Sequence, residues 1–325
     1  MSKKTTTIST TSTTTHVVET IPTNFTPSRT TFLHESLNNY NISVDSIFVD
    51  AILVISSSNA FLYRWMESNE VGGESVDQLK ISSDGYNQYG SCSAIYKGHA
   101  LFFGGQGRLA RSIHLLTGCS IIPISGELPI PMSFHSCSVS FDAVYLCGAW
   151  EDRRACYIFD DDRIRAIQGT KSGHTLAAMV TYRMYPVIIA GQDVYDEYTN
   201  KVEVYGGYEW NYGADLPTNL RFHSAIAIHE KIFVFGGYFY GIKDFVIEYD
   251  GYRWRRRSSL VEPRYDHSSV RIGSRIFHVG SSRTNMPIES WDAISDERKD
   301  SSSYLYGVKR PFLLPVKFSD FGSCF

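Results

Sequence analysis

Five short, nearly continuous apolar runs along this chain end on glycine. They are Ala100 to Phe103 before Gly104-Gly105, Val144 to Cys147 before Gly148, Pro186 to Ala190 before Gly191, Lys231 to Phe235 before Gly236-Gly237, and Arg275 to Val279 before Gly280. The stops are 44, 43, 45 and 44 residues apart, and a fixed period of that size marks a repeat architecture. Each run has strand length and strand composition. The unit at 221 to 254 shows the order of elements. Arg221-Phe222-His223-Ser224-Ala225 opens one strand, Ile232 to Phe235 forms a second, Phe245 to Tyr249 a third, and Trp254 marks a fourth. The following unit repeats it as Arg264 to Ser268, Ile276 to Gly280 and Ile288 to Trp291. Turns such as His229-Glu230 and Gly273-Ser274 join the first two strands.

Four short strands per unit make a small antiparallel sheet that cannot cover both of its own faces. Because the second strand is apolar on successive residues rather than alternating, both faces must be packed against copies of the unit. Sheets stacked radially around an axis satisfy this, so the expected fold is all-β, a β-propeller with blades of four antiparallel strands. Ile52 to Ile55, followed by Ser56 in the glycine's place, adds a degenerate first unit and brings the number of blades to six, with seven as the lesser option. The segment Arg310 to Phe318 or the stretch Ser46 to Val49 is expected to complete the first blade and close the ring, which removes exposed sheet edges. The expected boundaries are a Thr/Ser-rich tail or linker at 1–45, the propeller at 46–318 and a C-terminal tail at 319–325.

The strings Arg-x-His-Ser-Ala (221 to 225), Ile-Phe-Val-Phe-Gly-Gly (232 to 237) and Val-Glu-Val-Tyr (202 to 205), with the spaced Trp210 and Trp254, resemble the kelch repeat. The resemblance covers most of residues 46 to 292. A WD40 propeller has a similar period, but its signatures could be matched only by Gly173-His174 and Trp291-Asp292, which stand at unrelated phases. The kelch resemblance implies a rigid disc that binds proteins or peptides through the loops of one face, as a scaffold or substrate adaptor. The matching positions are Arg221 and Arg264 before the His, and Gln106, Arg108, Trp150, Gln192, Tyr238, Tyr240 and Arg283 after the glycine stops. Arginine forks and tyrosine rings suit a protein or peptide ligand, an acidic one in particular.

The recurring side chains read as structural. In three units the His precedes the Gly by 13 residues, at His135, His223 and His267; His174 is taken as the fourth member, with a four-residue insertion around Tyr182 to Pro186. A His at one phase of every unit is expected to be a buried hydrogen-bonding spacer, and Trp210 and Trp254 to pack between blades. Arg253, Arg255, Arg256 and Arg257 surround Trp254 and offer a local anion site or a solvated rim, balanced by Asp160-Asp161-Asp162 and Asp296-Glu297.

Composition narrows the function classes. A net charge of -3 provides no field to gather nucleic acid, and no run nears the ~20 apolar residues of a membrane span. A single propeller is expected to be monomeric. The first 31 residues hold thirteen Thr, too little apolar surface to order a chain. Two glycosylation triplets begin at Asn24 and Asn41, and no export signal opens the chain, so the cytoplasm is the default compartment, with an extracellular one if this is a fragment of a secreted protein. No BTB or F-box module fits before residue 46. Of the six cysteines, Cys147 and Cys156 could face each other across a hairpin, but buried free thiols are the expected state. No metal site, cofactor or catalytic group is selected by spacing. The alternative function is a carbohydrate-active propeller enzyme, similar to sialic-acid epimerases or copper-radical oxidases, which needs a non-repeating polar constellation.

Overall fold

The structure is a computed structural model that describes residues 49–325 except 57–58, 66–73, 84–85, 87, 162 and 284. The 1–45 segment and both Asn triplets lie outside the described residues. Among the described residues, twenty-four strands form six four-stranded antiparallel sheets, which are the blades of a propeller. Blade 1 contains β1 (Ala51–Ser56), β2 (Asn59–Arg64) and β3 (Ser75–Leu79). Blade 2 contains β4 (Cys92–Tyr96), β5 (His99–Phe103), β6 (Ser112–Thr117) and β7 (Ser120–Glu127). Blade 3 is β8 (Ser136–Ser140), β9 (Ala143–Cys147), β10 (Cys156–Asp160) and β11 (Arg163–Ile167). Blade 4 is β12 (Ala178–Tyr182), β13 (Tyr185–Gln192), β14 (Tyr198–Tyr205) and β15 (Trp210–Tyr212). Blade 5 is β16 (Ser224–Ile228), β17 (Lys231–Phe235), β18 (Phe245–Tyr249) and β19 (Trp254–Ser259), and blade 6 is β20 (Ser268–Ile272), β21 (Arg275–Val279), β22 (Met286–Asp292) and β23 (Arg298–Leu305).

The last strand, β24 (Phe312–Val316), pairs antiparallel with β1 in the register Leu53 to Leu314 and is the innermost strand of blade 1. The ring is therefore closed by the C-terminal segment, which settles the choice left open between the two ends.

The cores lie between blades, not within them. Ile52 and Val54 of β1 face Phe277 and Val279 of blade 6, while Leu53 and Ile55 face Phe102 of blade 2. In β17, Phe233 and Phe235 turn toward Ile276 and Trp291, and Ile232 and Val234 toward Val187 and Ile189. Successive residues of a strand point to opposite faces, so an unbroken apolar run supplies two cores at once. Six such clusters fill the six spaces between blades.

The glycine stops serve a close approach as well as a turn. Gly148 (φ 77) and Gly236 (φ 57) each end a second strand where an added Cβ would come within 2.4 Å of a carbonyl oxygen of the next lead-in loop, that of His174 and of Arg264. Only a residue without Cβ fits both constraints at low cost.

All six cysteines are bridged, and no free cysteine remains among the described residues. The expected free thiols are thus corrected. Cys147 and Cys156 are register partners in β9 and β10, whereas Cys92–Cys137 joins the inner strands of blades 2 and 3 and Cys119–Cys324 joins blade 2 to the chain's end. Ring geometry creates the last two pairings, which sequence spacing does not display. The residues 319–325, expected as a tail, are held in the body: Phe321 is buried, and Lys80 N–H donates to the carbonyl of Cys324 at 2.8 Å. The Cys119–Cys324 bridge spans 205 residues, and a loop of that size confines the unfolded chain by up to about 5 kcal/mol. Cys324→Ser is expected to lower Tm by on the order of 10 °C in calorimetry at neutral pH; an unchanged Tm would show that blades 1 and 2 hold without the bridge.

Candidate interaction face at the axial mouth

The loops that lead into each first strand and those that follow each glycine stop emerge at the same end of the disc and are tied together. Gln106 N–H donates to Tyr89, Trp150 to Ser133, Gln192 to Thr175, Tyr238 to Arg221 and Ser282 to Tyr265, at 2.7–3.1 Å. One residue further inward, a collar surrounds the axis. Gly90, Phe134, Leu176, Phe222, Asp266 and Arg310 all have φ between 44° and 77°. Each hydrogen-bonds the next: Phe134 N–H to Gly90, Leu176 to Phe134, Phe222 to Leu176, Asp266 to Phe222 and Arg310 to Asp266, at 2.7–3.1 Å.

The collar corrects the phase of the repeat in blade 4. Since Leu176 is the collar residue, Ala177 takes the place of His135, His223 and His267, and Ala190 (φ 54) takes the place of the first glycine. No insertion exists at Tyr182 to Pro186; Thr181 and Pro186 are register partners across an ordinary turn. His135, His223 and His267 are buried as expected. Their role differs in one respect, because the ring nitrogens of His135 and His267 meet no hydrogen-bond partner. They are packing spacers.

His174 belongs to another set, together with Arg264. Nε2 of His174 lies 3.1 Å from Oε1 of Glu203 and its Nδ1 2.7 Å from the carbonyl of Ala190. Arg264 donates from Nη2 to Glu289 at 3.0 Å, and both partners are 0% exposed. In these two blades, 4 and 6, the carboxylate on the third strand also accepts a backbone N–H three residues upstream of its partner, from Lys171 and from Val261. Burial works against the Glu203 carboxylate, yet His174 and the Lys171 and Ser172 amides hold its pKa below the usual range. Arg264, expected on the loop face, is therefore a buried girder unable to touch a partner. Arg264→Ala leaves Glu289 buried without its cation and is expected to cost about 3–5 kcal/mol; replacing both residues with leucine is expected to recover most of it, as read by denaturant unfolding.

The other sequence-selected residues divide as follows. Gln106, Arg108, Tyr240 and Arg283 are exposed, as is Trp150, while Arg221 and Tyr238 are half-buried. Gln192 is buried, with its amide donating to the carbonyl of Asp196 and its oxygen accepting from Arg221. Arg283 faces Glu262 at 3.9 Å. The structure brings one subset together. The Arg221 guanidinium lies over three rings, 4.6 Å from that of Tyr198, 5.3 Å from Phe222 and 5.8 Å from Tyr238. Tyr240 packs on Tyr198 at 5.8 Å, with 81% of its own surface exposed. On the other side of the 193–196 loop, Arg153 stacks on Trp150 at 4.9 Å and pairs with Asp196. Tyr198 and Arg153 were missed because neither stands at the positions that the repeat marks, and Phe222, although it lies in a lead-in loop, was read only as part of the repeat string.

An open cavity of ≈ 540 Å³ on the same face is lined by Gly105, Gln106, Gly107, Ala110, Pro131, Ser133 and Glu151. Three of the four arginines of the cluster on the outer rim are paired: Arg255 with Asp250, Arg256 with Asp244, and Arg257 with Glu248 and Asp296. That leaves a solvated rim rather than an anion site. Among the described residues, no group of three or more His, Cys, Asp or Glu could hold a metal ion, and no helix is long and apolar enough to cross a membrane.

The fold and face define a six-bladed β-propeller with an aromatic and arginine-rich loop end. No family model matches the chain, and no curated protein matches it.

Proposed function

We propose that this chain is a kelch-like interaction module without catalytic function, which binds a protein or peptide on the loop face around the axial mouth. The observation that carries this reading is the cluster of Arg221 with Tyr198, Phe222 and Tyr238 beside the exposed Tyr240. Tyrosine, tryptophan and arginine dominate the energetics of protein interfaces, because they bury large rigid areas and still offer polar contacts. Arg221 is already held by its rings, so it loses little freedom on binding, and its guanidinium suits an acidic residue of the partner.

We further propose that the module works in an oxidising compartment. Three bridges consume all six cysteines, and such bridges persist where thiols are not kept reduced.

The binding reading is tested by affinity capture with the full chain, wild type beside Arg221→Ala. Loss of about 2 kcal/mol or more, hence about thirtyfold weaker capture of the same partner with an unaltered Tm, is expected. Equal capture by both forms would move the interface off this face.

A further inference from the structure

The open cavity between blades 2 and 3 differs from the rest of the loop face in what it leaves unmet. Gly105, Gln106 and Gly107 of its lining follow β5, Pro131 and Ser133 lead into β8, and Glu151 follows β9. Its volume of ≈ 540 Å³ falls within the range of clefts that hold ligands. Most of its donors are spent. The Gly105 N–H goes to the carbonyl of Met132, that of Gln106 to Tyr89 and that of Ala110 to Gly107, at 2.9–3.3 Å. Ser133 gives both of its donors to one carboxylate: its N–H reaches Oε2 of Glu151 at 3.0 Å and its hydroxyl reaches Oε1 at 2.8 Å. An anionic ligand would find these donors taken and the carboxylate opposing it.

Glu151 is exposed, and among the described residues no ion pair within 4.0 Å includes it. Basic groups on the neighbouring loops are held elsewhere, Arg111 by Glu127, Arg153 by Asp196 and Arg154 by the carbonyl of Thr170. Each Glu151 oxygen spends one acceptor site on Ser133 and keeps another, and the two bonds together fix the carboxylate's plane. Two acceptors side by side in one plane match the parallel N–H groups of a guanidinium better than the single point charge of an ammonium. The lining has room for a methylene stem as well: Pro131 and Ala110 are apolar, and a Cβ added at Gly107 would meet nothing within 4 Å.

The surroundings point to the source of that guanidinium. Trp150, beside Glu151 in the chain, carries Arg153 on its ring, and Arg153 pairs with Asp196. The Asp196 carbonyl accepts from Gln192, whose oxygen accepts from Arg221 at 3.3 Å. The carboxylate and the Arg221 cluster thus stand on adjoining loops of one face, so a partner spanning both meets an anion at one end and a cation at the other.

We propose that the cavity between blades 2 and 3 takes an arginine side chain of the partner that Arg221 engages, its guanidinium donating two parallel hydrogen bonds to Oε1 and Oε2 of Glu151. The proposal rests on the loop-face reading and adds a basic residue to the acidic one that suits Arg221.

The test is selection of a displayed random-peptide library on the full-length protein, wild type beside Glu151→Gln. The substitution is nearly isosteric: its amide oxygen still accepts from the Ser133 N–H and its NH2 turns to the Ser133 hydroxyl, so an unaltered Tm is expected. Wild-type binders that Arg221→Ala loses are expected to share an arginine at one position, and selection on Glu151→Gln to lose it. In single synthetic peptides, Arg→citrulline at that position keeps the shape and removes the charge. It is expected to weaken binding to wild type by about tenfold or more and to leave binding to Glu151→Gln unaltered. Lysine at that position is expected to recover only part of the loss.

Arg221-dependent binders with no fixed basic residue, or with an affinity that Glu151→Gln leaves unaltered, would overturn the arginine site and leave the loop-face reading standing. An arginine preference that persists in Glu151→Gln would overturn it too. Failure to select any peptide that Arg221→Ala loses would overturn both.

Discussion

Deleting residues 310–325 is expected to leave the protein unfolded at physiological temperature. The deletion removes β24, the innermost strand of blade 1, and opens the edge of β1 from Ala51 to Ile55, whose residues are at most 2% exposed. It also removes the buried side chains of Phe312, Leu314, Val316 and Phe321. At about 2 kcal/mol for each large apolar side chain, that is about 8 kcal/mol before the ladder hydrogen bonds and the Cys119–Cys324 bridge are considered. Whole domains are stable by only about 5–15 kcal/mol. The uncovered β1 edge also offers a template for pairing with other chains. Circular dichroism melting and soluble yield should both collapse; a variant that melts within about 5 °C of the intact chain would show that the ring does not depend on β24.

Acidification is expected to unfold the intact protein well before its carboxylates protonate. Burial holds His135 and His223 down to about 3, with Arg310 adding to the effect, and burial also presses His267 and His278 well below the usual imidazole value. These groups stay neutral in the folded state while the unfolded chain takes up protons from about pH 6.5 downward. The unfolded state then binds more protons, so stability falls as pH falls, across the window from about 6.5 to about 3. Each group contributes about 1.4 kcal/mol per pH unit in that window. Four of them amount to about 6 kcal/mol at pH 5.5, comparable with the whole stability of a domain. Denaturant titrations at pH 7.5, 6.5 and 5.5 should show this steep loss. Equal stability at pH 7.5 and 5.5 would mean that these imidazoles are solvated or paired in the folded state.

The sequence carried the architecture because its two strongest signals are physical requirements of stacked blades. Unbroken apolar second strands are needed wherever both faces are covered, and the residue closing each strand needs positive φ beside a neighbouring carbonyl. Even Ser56 was readable as a stand-in, and Lys309 N–H does meet its hydroxyl. Blade 4 misled for the same reason. Ala190 adopts positive φ despite its methyl, so a search for glycine stops one residue late at Gly191, and His174 then falls into the wrong set.

The candidate interaction face was half legible. Repeat phase located its loops and Arg221, Tyr238, Tyr240 and Trp150 on them, but phase cannot distinguish a rim arginine from one that burial has enlisted as a girder. Arg264 needed Glu289, 25 residues away on β22, to reveal its role. The place of Arg310 in the collar was invisible for a related reason: it lies outside the recognisable units, and only ring closure bonds it to Asp266 and brings its guanidinium 5.8 Å from the ring of Phe134.

The most direct measurement of the account is hydrogen–deuterium exchange on the full chain, alone and saturated with the partner that it captures. Slowed exchange confined to the loop end, at 195–198, 221–222, 238–240 and 309–310, is the expected result. Protection instead at the opposite turns, around Phe141 and Met184, would place the partner on the other end of the disc and contradict the account.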